Sequence, residues 1–102
     1  MDKKNDLYTT GPSQIVMYTT EWCSDCRRAR FFFARKGIKY LDVDVNTDDQ
    51  AEAFVKKLNN GNRSVPTIIF PDGSILVEPS NSELEEKFSD NYFDEQARFS
   101  TG

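Results

Sequence analysis

Ile15-Val16-Met17-Tyr18-Thr19-Thr20-Glu21-Trp22-Cys23-Ser24-Asp25-Cys26-Arg27-Arg28-Ala29-Arg30-Phe31-Phe32-Phe33 is the stretch on which the fold turns. Its first four residues are strand formers, bounded before by Gly11-Pro12-Ser13, and they read as a short buried strand. From Ser24 the period changes. Cys26, Ala29 and Phe33 recur at helical spacing, and Phe32 widens the apolar stripe. Arg35 and Lys36 fall where a helix dipole is negative, and Gly37 supplies the stop, so the spacing predicts a helix over 24–36. Three consecutive Phe residues span more than half of that helix's circumference, which leads us to expect cover on more than one side.

Outward from this unit the pattern continues. Residues 38–45 alternate as a strand, with a register ambiguity near Tyr40. Thr47-Asp48-Asp49-Gln50 has the form of a capping box, and Ala51, Phe54, Val55 and Leu58 follow at helical spacing. That helix is expected to stop before Asn59-Asn60-Gly61-Asn62. Thr67-Ile68-Ile69-Phe70, Pro71-Asp72-Gly73 and Ser74-Ile75-Leu76-Val77 form a β-hairpin signature, closed by Pro79. Ser80 with Glu83 offers another capping box, Ser82 with Glu85 a competing one, and Leu84 and Phe88 mark the face of a last helix. The order β-α-β-α-β-β-α makes the first two strands parallel, with a right-handed crossover, and the last two antiparallel. The expected class is α/β, with a four-stranded mixed sheet and helices on both faces. Residues 1–14 read as a loose leader, 15–90 as one domain and 91–102 as a weakly ordered tail.

A chain of 102 residues with 37% apolar and 29% charged residues supports one domain and a small core. No run approaches the roughly 20 apolar residues of a membrane span, and no apolar signal segment follows Met1. The net charge of −4 disfavours nucleic acid and anionic membrane as partners. Charge is uneven, however. Residues 21–39 hold six basic side chains (Arg27, Arg28, Arg30, Arg35, Lys36, Lys39) against two acidic ones, a local +4, whereas 83–98 is locally −4. Histidine is absent, which removes the usual general base and the usual metal ligand.

The chain has two cysteines, Cys23 and Cys26. They can be half of a metal site shared across a dimer, but they cannot fill a tetrahedral zinc site alone. A redox pair is the stronger reading, because Cys-x-x-Cys here opens the helix of a βαβ unit. Unpaired amides and the dipole at a helix start stabilise a thiolate on Cys23, while Cys26 lies on the apolar face, where burial keeps it a thiol. Such a division suits exchange in which Cys23 attacks and Cys26 resolves the mixed disulfide. Pro66 precedes a strand, a place where Pro is tolerated, and by itself reads as an ordinary trans residue.

Taken together, Trp-Cys-Ser-Asp-Cys after Ile-Val-Met-Tyr-Thr-Thr, then Gly-Ile-Lys-Tyr with Asp-Val-Asp, Ser-Val-Pro-Thr and Asp-Gly, the chain resembles a glutaredoxin of the thioredoxin fold over about residues 15–88. Asn60 to Thr67 and the following Phe-Pro-Asp-Gly-Ser look most like the mycoredoxin branch. The resemblance implies a thiol–disulfide oxidoreductase with Cys23 as nucleophile and Cys26 as resolving thiol. It also implies a cis Pro66 facing the pair and a Val65 backbone that pairs with substrate. The candidate substrate-binding set is Trp22, Ser24, Asp25, Arg63, Val65, Pro66, Asn81 and Ser82; within it Arg63 reads as a cationic partner for a thiol's carboxylate, and Ser80, Asn81 or Ser82 as a helix start whose backbone amides can bind that carboxylate.

Two departures alter that picture. The common Pro-Tyr between the cysteines is Ser24-Asp25, which places a carboxylate beside the thiolate and opposes its ionisation. The family's Gly-Gly and nearby Asp, which hold glutathione, are replaced by Glu78-Pro79-Ser80-Asn81-Ser82. No metal or organic cofactor is expected, and the co-substrate is a low-molecular-weight thiol such as mycothiol or glutathione. Protein disulfides are the expected partners of a cytoplasmic monomer. Two alternatives stand beside this: an electron donor to ribonucleotide reductase fed by thioredoxin reductase, and an iron–sulfur protein holding a cluster between two protomers.

Overall fold

All four side chains of strand β1 (Val16–Thr19) are buried, because the sheet around it is covered on both faces. The computed structural model describes residues 6–89. After β1 come α1 (Ser24–Lys36), β2 (Leu41–Asp44), α2 (Asp49–Leu58), β3 (Thr67–Ile69), β4 (Ile75–Val77) and α3 (Asn81–Lys87). The sheet order is β2-β1-β3-β4. β1 runs parallel to β2, with Val16 opposite Leu41, and antiparallel to β3, with Val16 opposite Ile69. β3 and β4 form the expected hairpin, with Thr67 opposite Val77. This is the thioredoxin-like α/β arrangement the chain's motifs imply.

Alternation along β1 divides the core. Ile15 and Met17 face α1 and α3, where they meet Ala29, Phe32, Phe33, Ile68, Phe70, Leu84 and Phe88. Val16 and Tyr18 face α2, with Val43, Val45, Ala51, Val55 and Ile69. The first face is an aromatic cluster: Phe33 and Phe88 meet edge to face at 5.5 Å between centroids, and Phe70 and Phe88 at 5.8 Å. Tyr40 joins it, edge-on to Phe33 at 4.9 Å. The register ambiguity resolves here. Ile38 and Tyr40 pack under α1 as a connector, and the strand starts at Leu41, whose parity serves the other face.

Several local expectations are corrected. Phe31 is not covered; Phe32 and Phe33 fill the space that the sheet and α3 provide, and Phe31 remains on the outside. Asp48, not Thr47, caps α2, its carboxylate accepting from the Ala51 amide at 3.1 Å. The Thr47 hydroxyl is drawn backward to the Asp44 carbonyl instead. At α3 the Ser80–Glu83 capping box forms in both directions, and Ser82 with Glu85 does not compete. Within residues 6–14, Leu7 and Tyr8 pack against the core on the α2 face. The Tyr8 amide donates to the Tyr18 hydroxyl at 3.0 Å and the Tyr8 hydroxyl to Asp48 at 2.6 Å. Buried Asp6 accepts from the Ser13 amide and hydroxyl and from Gln14. The expected tail over 91–102 lies outside the described residues.

α3 is tied to the hairpin by Lys87, whose ammonium donates to Asp72 at 2.8 Å and to the Ser74 hydroxyl at 2.7 Å, above the Phe70 ring. The Asp72 carboxyl is held down to about 2, first by Lys87 and then by the Ser74 hydroxyl and amide. A carboxyl lowered on folding stabilises above its unfolded value near 4, and that contribution is lost as pH falls toward 2. The Asp72 side chain is 61% exposed, so screening keeps the effect below about 1 kcal/mol. Thermal unfolding is expected to show Asp72→Asn with a Tm lower by less than about 5 °C at pH 7 and matching the parent at pH 2. An equal loss at both values would contradict the ion-pair origin.

Candidate functional site

Cys23 is the N-cap of α1. Its backbone is extended, at φ −99 and ψ 116, and its Sγ accepts from the Cys26 amide at 3.1 Å. The Cys23 carbonyl already accepts the Arg27 amide at 3.1 Å, so the helix begins at this residue. On its other side the Cys23 thiol donates to the Val65 carbonyl at 3.6 Å, across 42 positions of sequence. Cys23 is half-buried and Cys26 is buried, and both are free thiols.

Burial pushes the Cys26 thiol up to about 12, and the adjacent Cys23 sulfur adds to the effect. Opposing this are the Thr20 backbone amide and the charge of Arg30, one helical turn on. Arg30 is fixed in place by its partners. Its Nε donates to Asp42 at 2.7 Å, and its terminal nitrogen donates to the Thr19 hydroxyl at 2.7 Å. The Thr19 hydroxyl in turn donates to Asp42 at 2.6 Å, so the charge beneath the pair is triply anchored between α1, β1 and β2.

The loop opposite the cysteines is held from several sides. The Val65–Pro66 bond is cis, and Pro66 is buried. The Pro66 carbonyl accepts from the Glu78 amide at 2.8 Å, extending the hairpin ladder by one rung. The Thr67 hydroxyl donates to the Ser64 carbonyl at 2.6 Å and accepts from Asn59, which also caps the Val55 carbonyl at the end of α2.

The remaining sequence candidates distribute as follows. Trp22 stands 84% exposed beside the pair. Ser24 is exposed, and Asp25 pairs with Arg28 at 3.2 Å. Arg28 also reaches the Pro79 carbonyl at 3.5 Å, which links the first turn of α1 to the segment before α3. Asn81 and Ser82 are exposed in the first turn of α3, and Glu78 takes the left-handed φ of 48 in the segment that replaces the double glycine. Arg63 is engaged elsewhere, by Glu52 at 2.7 Å and by Asn46. The sequence places Arg30 in the basic segment beside the pair but gives no sign of Thr20. The Cys26-to-Arg30 spacing of one turn was visible, but the partners Asp42 and Thr19 come from other strands. Among the described residues no group of three or more Cys, Asp or Glu side chains gathers to hold a metal ion, and no helix is long and apolar enough to cross a membrane.

Residues 15–75 match the family model described as glutaredoxin. The chain belongs to the glutaredoxin family. A protein of Mycobacterium tuberculosis named as a glutaredoxin is 41% identical over 73 residues, covering 72% of this chain and 87% of its own length. Mycoredoxin 1 of Corynebacterium glutamicum is 36% identical over 72 residues, covering 71% of this chain and 89% of its own. Among solved structures, the glutaredoxin from Archaeoglobus fulgidus superposes with a TM-score of 0.64 at 22% identity, over 81% of this chain and 94% of that one, a likeness of fold. As a glutaredoxin the chain is a thiol–disulfide oxidoreductase acting on disulfide substrates with low-molecular-weight thiols.

Asp25, two residues from Cys23, is paired with Arg28. A paired carboxylate repels a neighbouring anion less than a bare one. Asp25→Asn is therefore expected to speed iodoacetamide alkylation of Cys23 at neutral pH by only about twofold, and Arg28→Gln to slow it by a similar factor. A slower reaction in Asp25→Asn would contradict the electrostatic reading.

Proposed function

We propose that Cys23 is the nucleophile and Cys26 the resolving thiol of a dithiol exchange cycle. The observation that carries this is the placement of the Cys23 sulfur on the Cys26 amide in the first turn of α1, with Cys26 itself withdrawn into the core. As a thiolate, Cys23 attacks one sulfur of a substrate disulfide, and the other sulfur leaves and takes up a proton. Cys26, giving its proton to solvent, attacks the Cys23 sulfur of the mixed disulfide. The Cys23–Cys26 bond forms and the second substrate thiolate departs. Electrons returned by an external thiol reopen that bond.

The Val65 backbone flanks the attacking sulfur, and the cis Pro66 presents that backbone without an amide proton of its own on the proline. In this reading Val65 and Pro66 align the substrate chain, Trp22 and Ser24 border it, and Asp25 tempers the thiolate. Asn81 and Ser82 border a small-thiol site reached through the Arg28–Pro79 link. Arg63 enters that set only by leaving Glu52. Mycothiol is the favoured small thiol over glutathione, supported by the likeness to mycoredoxin 1 and by the substitution of the double glycine. The protein acts as a cytoplasmic monomer. The alternatives are a redoxin fed by thioredoxin reductase and a cluster-holding protein, the latter disfavoured because Cys26 competes for ligation at Cys23.

Cys26→Ser is expected to accumulate a mixed disulfide on Cys23, and Cys23→Ser to lose all exchange. Retained dithiol activity in Cys23→Ser would reverse the two roles. An NADPH-coupled assay supplying mycothiol with its reductase, glutathione with its reductase, or thioredoxin reductase identifies the electron source. Turnover with thioredoxin reductase alone would reject the small-thiol reading, and a brown anaerobic preparation would favour the cluster.

A further inference from the structure

Among the described residues, three large apolar side chains stand exposed: Trp22 at 84%, Phe31 at 65% and Val77 at 41%. Two of the three belong to the segment that carries the cysteine pair. Phe31 follows Arg27 by four residues and precedes Arg35 by four, so the three lie along one outer stripe of α1. Arg28, Arg30 and Lys36 are committed to Asp25, Asp42 and Glu85. Arg27 and Arg35 have no carboxylate partner among the described residues; both residues are exposed, and the Arg35 guanidinium lies over the Phe32 ring at 5.5 Å from its centroid. In a chain of net charge −4, two guanidinium groups with no carboxylate partner among the described residues thus lie one turn to either side of the exposed Phe31 ring, and exposed Trp22 adjoins Cys23 in sequence.

We propose that Trp22, Arg27, Phe31 and Arg35 form a docking stripe for an acidic segment of a disulfide-bearing protein substrate. This rests on the exchange reading above and names the substrate class. Guanidinium groups match carboxylates in geometry as well as charge, and Phe31 between them takes one apolar side chain. Nucleic acid is the poorer occupant, because the rest of the chain repels it. From Cys23 to Arg35 the helix rises ~18 Å at 1.5 Å per residue. An extended substrate crosses that distance in about six residues. The partner's carboxylates and its apolar residue therefore lie within about six positions of its disulfide cysteine.

The test uses the full chain and two synthetic peptides, each with one cysteine in mixed disulfide with 2-mercaptoethanol. The six residues beside that cysteine contain Glu and Leu in one peptide and Lys and Leu in the other. Bis(2-hydroxyethyl) disulfide serves as a substrate with no docking segment. The acidic peptide is expected to react with a kcat/KM about tenfold higher at low salt, a gap that closes as ionic strength rises toward ~0.5 M. Phe31→Ser and Arg35→Gln each reduce that preference several-fold and leave the small disulfide's rate unchanged. Equal rates for the two peptides, a salt-independent preference, or full preference in both variants would overturn the docking stripe while the exchange reading stands. Failure to reduce even the small disulfide would overturn both. A concentration-dependent sedimentation coefficient that Phe31→Ser abolishes would assign the stripe to a second copy of the chain and overturn the proposal.

Discussion

The first turn of α1 is capped by a sulfur where most helices use an oxygen: the Cys26 amide donates to Cys23 Sγ at 3.1 Å. A helix start leaves amides without intrahelical partners, and these favour an anion over a neutral acceptor. Capping and chemistry are therefore one interaction. On the proposed reading, the side chain that satisfies the helix is also the group that attacks. Position follows from the same bond, since it fixes Cys23 within 3.6 Å of the Val65 carbonyl on the cis-proline loop.

Cys26 shows the opposite treatment on the same turn. It faces inward beside Ala29 and Phe33, and burial raises its thiol to about 12. Two sulfurs three residues apart thereby receive different environments from one helix, because one precedes the first turn and the other lies on its apolar side. Arg30, anchored on Asp42 and Thr19, places a positive charge near enough to Cys26 to oppose part of that rise. The aromatic cluster of Phe32, Phe33, Phe70 and Phe88 holds α1 against the sheet and α3, which keeps both sulfurs in register with the loop across from them.

Much of this was legible in the residues because its causes are local. Helix α1 follows from an apolar spacing and a terminal glycine, the hairpin from Asp72-Gly73, and the α3 cap from Ser80 and Glu83, all within a few positions of one another. What was hidden depends on partners far along the chain. Tyr8 is ordered by Asp48, 40 residues away, and that bond brings the preceding segment onto the core. Arg63 looked available beside the loop but is taken by Glu52. Phe31 looked like core because three Phe residues are alike in sequence, whereas the sheet and α3 have room for two. Pro66 read as an ordinary strand opener by itself; its cis bond was expected from the whole set of motifs, not from its neighbours.

The most direct measurement is partial alkylation of the reduced full chain with limiting iodoacetamide at neutral pH, followed by fragment-ion mapping of the peptide that contains both cysteines. Nearly all early label is expected on Cys23, faster than on either cysteine of the unfolded chain, with Cys26 labelled only as pH approaches about 12 or the fold is lost. Comparable early labelling of the two sulfurs, or a Cys23 no faster than its unfolded counterpart, would contradict the claim that the helix start prepares one sulfur and the core withholds the other.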